Sequence, residues 1–478
     1  MTYDLVLRNA RIVDGTGAKS VAGDVAITGD RIAALGKIVK RGGAEIDVKG
    51  QAVAPGFIDV HTHDDRALLA NPDMAMKASQ GVTSVVVGNC GISLAPLTLD
   101  GVPPPPLDLL GERSDYRFPR FADYLGALDA APPAINAACM VGHSTLRVGC
   151  MGDVKRPARP DEIDAMRGRL REGLAAGAIG FSTGLGYAPS QSAPASEVEA
   201  LAREAGKAGA IYTTHMRDEG DEVMESLEES FSTARSAHVP VVISHHKVSG
   251  KRNAGRSVET LPRIARAIAE QPAGLDAYPY VASSTVLTAE MANEARKVLV
   301  TWSRSHPEMA GRELSAIAAD WGIDVAAAAA RLLPAGAVYW SMDEADVRRI
   351  LAFEHTMIGS DGLPHDSHPH PRLWGSFPRV LGHYSREVGL FSLEEAVRKM
   401  TSLSAQRFGL KDRGRLAPGA FADIVVFDPD RIMDRASFER PATPAAGIVL
   451  VLVNGQAIWR DGGSTGARPG RVLRRASV

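Results

Sequence analysis

The stretch GFIDVHTHDD (residues 56–65) places two histidines one residue apart, directly after an apolar run. Side chains alternate along a strand with a period of two, so the rings of His61 and His63 point to the same face. Zinc prefers histidine nitrogen, cysteine sulfur and carboxylate oxygen as ligands. The pair therefore indicates a metal site, although a His-x-His pair alone also occurs by chance.

Further residues of ligand type follow other apolar runs of the chain. Together with His61 and His63 they mark six predicted strand ends. They are Cys90 after SVVVGN, His143 after CMVG, His215 after IYTT, His245 and His246 after VVIS, and Asp361 after MIGS. Reactive groups of an α/β-barrel enzyme lie at the carboxyl ends of its strands. Core packing alone hardly explains this pattern, so we predict one shared site. Alternation turns His246 away from the face that His245 uses.

The elements that must position these residues are short apolar runs that alternate with Ala-rich amphipathic stretches. The predicted strands are VAPGFIDV, TSVVVGN, AACMVGH, AIGFSTG, AIYTTH, PVVISH, LDAYPY and HTMIGSD. Helices are predicted at PDEIDAMRGRLREGLAAG, ASEVEALAREAGKAG and LEEAVRKMTSLSAQRFG. Eight such units around a parallel sheet predict an α/β fold of the (β/α)₈ TIM-barrel type.

Both ends of the chain show a different pattern, with β-branched runs bounded by Asp-Gly and Asn-Gly turns. We predict that residues 1–55 and 413–478 pair into one small β-sandwich domain. The barrel then occupies residues 56–283 and 346–412. Residues 284–345 contain a longer helical stretch, SAIAADWGIDVAAAAARLL, and are predicted to form a subdomain inserted on top of the barrel.

Composition excludes several classes of protein. The 478 residues include 54 basic and 56 acidic ones, without a long run of either sign, so we expect neither a nucleic acid nor a membrane partner. Three cysteines are too few for a disulfide framework, and Cys139 and Cys150 are expected to be structural. The start lacks a signal-like apolar stretch. We predict a cytoplasmic protein with a small-molecule substrate, whose oligomeric state stays open.

Five motifs occur in order and are specific as a set: PGFIDVHTHDD, GVTSVVVGNCGISLAPL, THMRDE, SHHKVSGKRNAGRS and GSDGLPHDSHPHPRLWGSF. On these motifs the chain resembles the N-acyl-D-amino-acid deacylase (D-aminoacylase) family of the amidohydrolase superfamily over essentially its whole length. The resemblance implies a zinc ion held tightly by three residues, and a second, weaker position that shares one of them. The tight set is Cys90, His215 and His245, and the weaker position adds His61, His63 and Asp361 to Cys90.

Cys90 would have to bridge the two metal positions. Many amidohydrolases use a modified lysine on the fourth strand for this purpose, but AIGFSTGL contains no lysine. A thiolate beside zinc is deprotonated and can bridge without modification. How many metals bind stays open. In the same resemblance, Asp361 is the general base for water and the acid for the departing amine.

The resemblance also implies residues that contact the substrate: Lys247, Arg372 and Tyr187 at the α-carboxylate, with Tyr278, Ser284 and His143 as further candidates. A hydrogen-bonded core position is the alternative for His143. The histidines of HDSHPHP (residues 365–370) are expected at the rim of the site.

The side-chain pocket is predicted from VLTAEMANEA, which follows YPYVASST. This stretch contains Met291, an adaptable pocket residue, and no base before Arg296. We therefore expect neutral or hydrophobic D side chains. Lys251, Arg252 or Arg296 would provide the cation that an N-acyl-D-glutamate or N-acyl-D-aspartate deacylase needs. The sequence also leaves open a cyclic-amide hydrolase of the hydantoinase or dihydroorotase type, which typically carries the bridging lysine, and a non-catalytic scaffold.

Overall fold

Eight parallel strands form the centre of the molecule in a computed structural model that describes residues 3–475. We number these barrel strands in chain order: β1 (Phe57–Asp59), β2 (Val82–Val87), β3 (Asn136–Gly142), β4 (Gly180–Gly184), β5 (Ile211–His215), β6 (Val241–Ile243), β7 (Ala273–Ala277) and β8 (Thr356–Ile358). Their order in the sheet follows the chain. The two edges meet at a parallel bridge between Thr62 and Gly362, so the barrel is nearly closed. The predicted barrel is confirmed, with one strand at each of the eight predicted runs. The run VAPGFIDV is divided, because Ala52–Pro55 belongs to a different sheet and only Phe57–Asp59 belongs to the barrel.

Helices cover the outside of the barrel. The longer ones are Phe121–Ala130, His143–Cys150, Pro160–Ala176, Ala195–Lys207, Val223–Ala237, Ser257–Glu270, Glu344–Ala352, Arg372–Arg379 and Leu393–Met400. Shorter ones are Ala67–Ala70, Ala75–Ala78, Ala188–Gln191 and Ser402–Arg407, and Val380–Glu387 is a π-helix. The last predicted helix is two helices, because Thr401 leaves the helical region (φ −134°, ψ −88°). No helix in residues 3–475 has the length and apolar character needed to cross a membrane.

Strands from both ends of the chain build one nine-stranded sheet. They are Tyr3–Ile12, Val21–Thr28, Arg31–Gly36, Gly42–Asp47 and Ala52–Pro55 from the N-terminal part, and Ile424–Phe427, Ile448–Val453, Gln456–Arg460 and Gly463–Ser464 from the C-terminal part. Ala52–Pro55 and Ile424–Phe427 pair antiparallel and join the two parts. Ile424 and Val426 face the small domain's own core, whereas Val425 and Phe427 pack against the barrel. The predicted joining of the termini is confirmed; the exact domain boundaries stay predictions.

A small inserted unit lies between β7 and β8. Its antiparallel strands are Ser283–Val286, Val298–Ser303 and Ala335–Tyr339, and its helices are Ala289–Glu294, Leu314–Trp321 and Val325–Leu332. The predicted helical stretch is interrupted at Gly322, which has a φ of 64°. The side chain of Asp324 then caps the next helix by accepting a hydrogen bond from the Ala327 N–H (2.7 Å). A second small strand pair, Leu97–Thr98 with Arg117–Phe118, brackets a loop on the way from β2 to β3.

Candidate metal centre

Three ligand types meet where β2, β5 and β6 end. Cys90 follows β2, His215 is the last residue of β5, and His245 follows β6. The Cys90 Sγ lies 3.2 Å from Nε2 of His245, which lies 3.0 Å from Nδ1 of His215. One ligand atom from each residue falls within 4.8 Å of the others. Three such ligands can hold one ion and leave a fourth position open, as in catalytic zinc sites.

A second group shares Cys90 and lies where β1 and β8 meet. The Cys90 Sγ is 3.2 Å from Nε2 of His61, and Oδ1 of Asp361 lies 3.2 Å from Nε2 of His63 and 3.5 Å from Nε2 of His61. These four residues are buried, and their ligand atoms also fall within 4.8 Å of one another. The structure therefore brings together all six residues that the sequence suggested as ligands, in two groups with one common thiol.

The backbone is left-handed at three of these residues, which is uncommon for residues other than glycine. Their φ angles are 51° at Cys90, 37° at His245 and 53° at Asp361. Local contacts hold these conformations: the Asp361 N–H donates to the His61 carbonyl (2.8 Å), and the His245 N–H donates to Oδ1 of Asp276 (2.9 Å). Such strain is tolerated where surrounding contacts fix a functional geometry.

Two outer carboxylates lie beside the histidines, and neither was predicted from the sequence. Oδ1 of Asp276 lies 3.4 Å from Nδ1 of His61, and Oε1 of Glu219 lies 3.0 Å from Nδ1 of His245. A carboxylate near Nδ1 favours the tautomer that leaves Nε2 free for a metal. Nδ1 of His61 has no hydrogen-bond partner within residues 3–475, and Nδ1 of His245 also lies 2.8 Å from the Nζ of Lys247. Their positions were the available signal, since Asp276 is the second residue of the LDAYPY run and Glu219 closes the THMRDE motif.

The charges of the centre reinforce one another. Burial opposes the thiolate of Cys90, but the charges of His61 and His245 outweigh it and bring its pKa well below the usual value. Burial likewise opposes ionisation of Asp361, yet Arg372 and His245 hold its pKa well below the ordinary range. The centre thus offers a thiolate, a carboxylate and imidazoles, which is a donor set suited to zinc.

A buried lysine ties the two edges of the barrel together beneath the centre. The Lys77 Nζ donates to Oδ2 of Asp59 and to Oγ of Ser360, both at 2.8 Å, and lies 3.3 Å from Oδ2 of Asp64. Asp59 belongs to β1, whereas Ser360 precedes Asp361 after β8. Lys77 therefore fixes the seam on which His61, His63 and Asp361 depend.

A cavity of about 630 Å³ opens beside the centre. His215, His245 and Asp361 form part of its wall, together with four of the residues that the sequence suggested for substrate contact: Tyr187, Lys247, Tyr278 and Ser284. The Lys247 Nζ lies 2.7 Å from both carboxylate oxygens of Glu219, and the Tyr187 hydroxyl is hydrogen-bonded to Thr285 (2.9 Å).

Two further predicted substrate contacts do not reach the cavity wall. Arg372 is wholly buried, and its Nη1 lies 2.9 Å from Oδ2 of Asp361. His143 is also wholly buried, with Nε2 3.0 Å from Glu197 and Nδ1 3.3 Å from Oγ of Ser190. The structure thus places His143 in the alternative core position, because it begins a helix that packs on the neighbouring helix layer.

Comparisons with known proteins show the family to which this chain belongs. The model of the amidohydrolase family matches residues 44–326 and 205–458. A D-aminoacylase of Alcaligenes xylosoxydans xylosoxydans is 54% identical over 477 residues, which span 100% of this chain and 98% of that relative. The chain belongs to the N-acyl-D-amino-acid deacylase family of amidohydrolases. The predicted resemblance is confirmed.

Solved structures agree with this membership of the deacylase family. The crystal structure of a D-aminoacylase, described as defining a novel subset of amidohydrolases, matches with a TM-score of 0.97 at 55% identity, covering 99% of this chain and 100% of that one. An N-acyl-D-glutamate deacylase from Bordetella bronchiseptica, solved with zinc and a phosphonate mimic of the tetrahedral intermediate, matches with a TM-score of 0.96 at 46% identity, covering 99% and 100%.

The remaining histidines of this deacylase-family chain lie outside both ligand groups. His246 is hydrogen-bonded to Oγ1 of Thr260 (2.9 Å), so it does point away from the face of His245. Nε2 of His370 lies 3.1 Å from the Ala282 carbonyl, and Nε2 of His368 lies 2.7 Å from the Phe438 carbonyl. These contacts are structural.

Proposed function

We propose that this chain is a zinc-dependent hydrolase of N-acyl-D-amino acids that releases a carboxylate and a free D-amino acid. The observation that carries the proposal is the pair of ligand groups sharing Cys90, at the wall of a cavity that also presents Lys247. The preference for the D enantiomer is supported by the D-aminoacylase relatives, since neither composition nor spacing distinguishes D from L.

The residues present fit zinc in number, type and burial. We assign the tight position to Cys90, His215 and His245, and the weaker one to His61, His63 and Asp361 with the shared thiolate. When bound, zinc lowers the pKa of a water molecule towards about 7 and polarises an amide carbonyl. The lysine-free strand β4 supports the assignment of the bridging role to Cys90.

Asp361 is assigned the proton transfers. It lines the cavity as an ionised carboxylate, which is the form that can accept a proton from water. An amide nitrogen cannot leave as an anion, so the same carboxyl group then donates the proton to the departing amine. Arg372, paired with Asp361, is assigned to holding this carboxylate in place.

Lys247 is assigned the α-carboxylate of the substrate. Its side chain carries a positive charge at the cavity wall, which Tyr187, Tyr278 and Ser284 also line. The Tyr278 hydroxyl and the Ser284 hydroxyl are buried and have no hydrogen-bond partner in residues 3–475. Buried polar groups of this kind are usually satisfied, so their free hydrogen-bonding capacity supports a role in substrate binding.

The wall of the cavity favours uncharged side chains over acidic ones. Its apolar part includes Val286, Leu287, Met291 and Leu333. The cations that an acidic side chain would need are elsewhere: the Arg252 Nη2 pairs with Asp221 (2.5 Å), the Arg296 Nη2 donates to the Met342 carbonyl (3.2 Å), and Lys251 is exposed outside the lining. The N-acyl-D-glutamate or N-acyl-D-aspartate alternative therefore has less support.

The decisive experiment follows amine release from N-acetyl-D-leucine, N-acetyl-D-glutamate and their L enantiomers with the zinc-loaded protein. We expect N-acetyl-D-leucine to react fastest and chelation to abolish turnover. Faster turnover of the L forms would contradict the deacylase proposal, whereas a preference for D-glutamate would contradict only the pocket assignment. Hydantoin hydrolysis without amide turnover would favour the cyclic-amide alternative, and a folded, metal-free protein would favour the scaffold. The cytoplasmic location and the absence of nucleic acid and membrane partners stay predictions.

A further inference from the structure

The cavity wall contains a carboxylate that the proposed mechanism does not use. Asp108 lies in the loop between Leu97–Thr98 and Arg117–Phe118, and it lines the cavity. The other two acidic residues in the wall are paired, Glu219 with Lys247 and Asp361 with Arg372. In contrast, Oδ1 of Asp108 is buried and has no hydrogen-bond partner in residues 3–475.

A second carboxylate, Asp366, feels the charge of Asp108 and is also incompletely satisfied. Asp366 is 8% exposed, and its Oδ2 has no hydrogen-bond partner within the described part of the chain. Burial raises the pKa of Asp366 to about 7, and the charge of Asp108 acts in the same direction. Burial raises the pKa of Asp108 to about 6, although the charge of Arg304 acts in the opposite direction. In each carboxyl group one buried oxygen is shielded from water and has no hydrogen-bond partner in its place. Burying a polar atom in this way costs free energy.

The chemistry of the cavity wall favours an organic cation over a metal ion at Asp108. Asp108 and Asp366 are in neither of the groups of three or more ligand types that could hold a metal. The same wall contains the apolar residues Val286, Met291 and Leu333. Lysine and arginine side chains combine an aliphatic stem with a charged end, and they pack the stem on apolar surface. An apolar wall with an unpaired carboxylate matches that combination.

We infer that the cavity accepts the cationic side chain of a basic D-amino acid, and that Asp108 is the residue that selects it. The inference rests on the proposed function and extends its range from uncharged to basic side chains. Asp108 would disfavour acidic side chains by repulsion, and Asp366 would add to the negative potential to the extent that it is ionised.

The test compares N-acetyl-D-lysine with its uncharged analogue N-acetyl-D-norleucine in the zinc-loaded wild type, Asp108→Asn and Asp108→Glu. Loss of a charge-assisted contact should lower kcat/KM for the lysine substrate by about tenfold or more in Asp108→Asn. For the norleucine substrate the change should stay within about twofold, since no charge is involved. Asp108→Glu should restore part of the lysine activity. Asp100→Asn, an exposed change in the same loop, is the matched control and should behave as the wild type.

Each outcome decides the inference. An unchanged lysine-to-norleucine ratio in Asp108→Asn would overturn it. The inference would also be overturned if the Asp108→Asn change lowered turnover of N-(6-aminohexanoyl)-D-leucine but not of N-acetyl-D-lysine. The acyl group, and not the D side chain, would then lie beside Asp108. If Asp108→Asn does not fold, the test is inhibition of the wild type by pentylammonium and by the uncharged pentanol. We expect pentylammonium to inhibit more strongly, and equal inhibition would contradict the inference. Failure to hydrolyse even N-acetyl-D-norleucine would refute the proposed function itself.

Discussion

Replacement of Glu219 by glutamine tests how far the metal centre depends on its outer carboxylate. The Nδ1 of His245 lies 3.0 Å from Oε1 of Glu219, and the Nζ of Lys247 lies 2.7 Å from both oxygens. Nε2 of His245 faces Cys90 and His215, and its Nδ1 lies 2.8 Å from the Nζ of Lys247, so Glu219 holds the ring and the ammonium group together. Glutamine keeps the shape of the side chain but removes the charge that both contacts use.

The size of the effect follows from these two contacts. Loss of an outer partner of a metal-binding histidine typically costs about 10- to 100-fold in metal affinity or activity, which corresponds to about 1.4 to 2.8 kcal/mol. The same change releases Lys247 from the carboxylate that positions it. We therefore expect Glu219→Gln to weaken zinc binding by about that factor and also to raise KM for N-acetyl-D-leucine.

Zinc affinity is measured by competition with a chromophoric chelator, and kcat and KM are measured on the zinc-saturated protein. Glu219→Asp retains the charge and should recover part of both properties. Glu225→Gln, an exposed change on the following helix, is the matched control. If the zinc affinity and the KM of Glu219→Gln both stay within about twofold of the control, the orienting role of Glu219 is refuted.

Three further changes test other parts of the molecule. Asp361→Asn should retain zinc at the tight position by metal analysis but lower kcat by about 10³-fold or more, since both proton transfers are lost. Lys77→Met leaves Asp59 and Asp64 buried without their cation, so thermal unfolding should show a loss of about 3–5 kcal/mol. Burial opposes the charge of Glu197, but His143 and Arg147 outweigh it and lower the pKa of Glu197 from 4.5 to about 2. The stability that this charge contributes is therefore present above pH 4.5 and is lost as the pH falls towards 2. Circular dichroism should therefore show Glu197→Gln to be less stable than the wild type at neutral pH, with the difference closing in acid.

For each of these three predictions, one result would contradict the reasoning. A kcat for Asp361→Asn within tenfold of the wild type would remove Asp361 from the proton transfers. Lys77→Met should be compared with the exposed change Lys19→Met. Equal melting temperatures would refute the stabilising role of Lys77 between the two barrel edges. For Glu197→Gln the control is Glu199→Gln, whose exposed pair with Arg203 contributes little. A constant difference from the wild type between pH 7 and pH 2 would refute the titration argument.

The ligands could be predicted from sequence because a barrel collects its strand ends at one rim. Once eight strands are placed in order, a His, Cys or Asp that follows one of them is expected near the others. The period of two also predicted that His246 faces away from His245, and it bonds to Thr260. These arguments need only the strand ends and no detail of the loops.

Residues whose positions depend on loop and helix packing could not be predicted in this way. Glu219 reaches His245 only through the turn after β5, and Asp108 enters the cavity from a loop that follows β2. His143 was a candidate for the cavity because it follows β3, but it is already the first residue of a helix and turns towards Glu197. Arg372 similarly begins a helix and faces Asp361 from behind. Strand-end position alone does not give the direction of a side chain.

The shared cysteine and the lysine-free fourth strand are two aspects of one arrangement. Ser182 of β4 accepts a hydrogen bond from the Gly91 N–H (3.0 Å) and donates one to the Gly88 carbonyl, so β4 holds the loop that carries Cys90. A Cβ on Gly184, the last residue of β4, would lie 2.2 Å from the carbonyl oxygen of Cys90. A longer side chain at this strand end is therefore incompatible with the loop where it lies. The loop thus occupies the space beside β4, and the charges of His61 and His245 lower the pKa of the Cys90 thiol against the effect of burial.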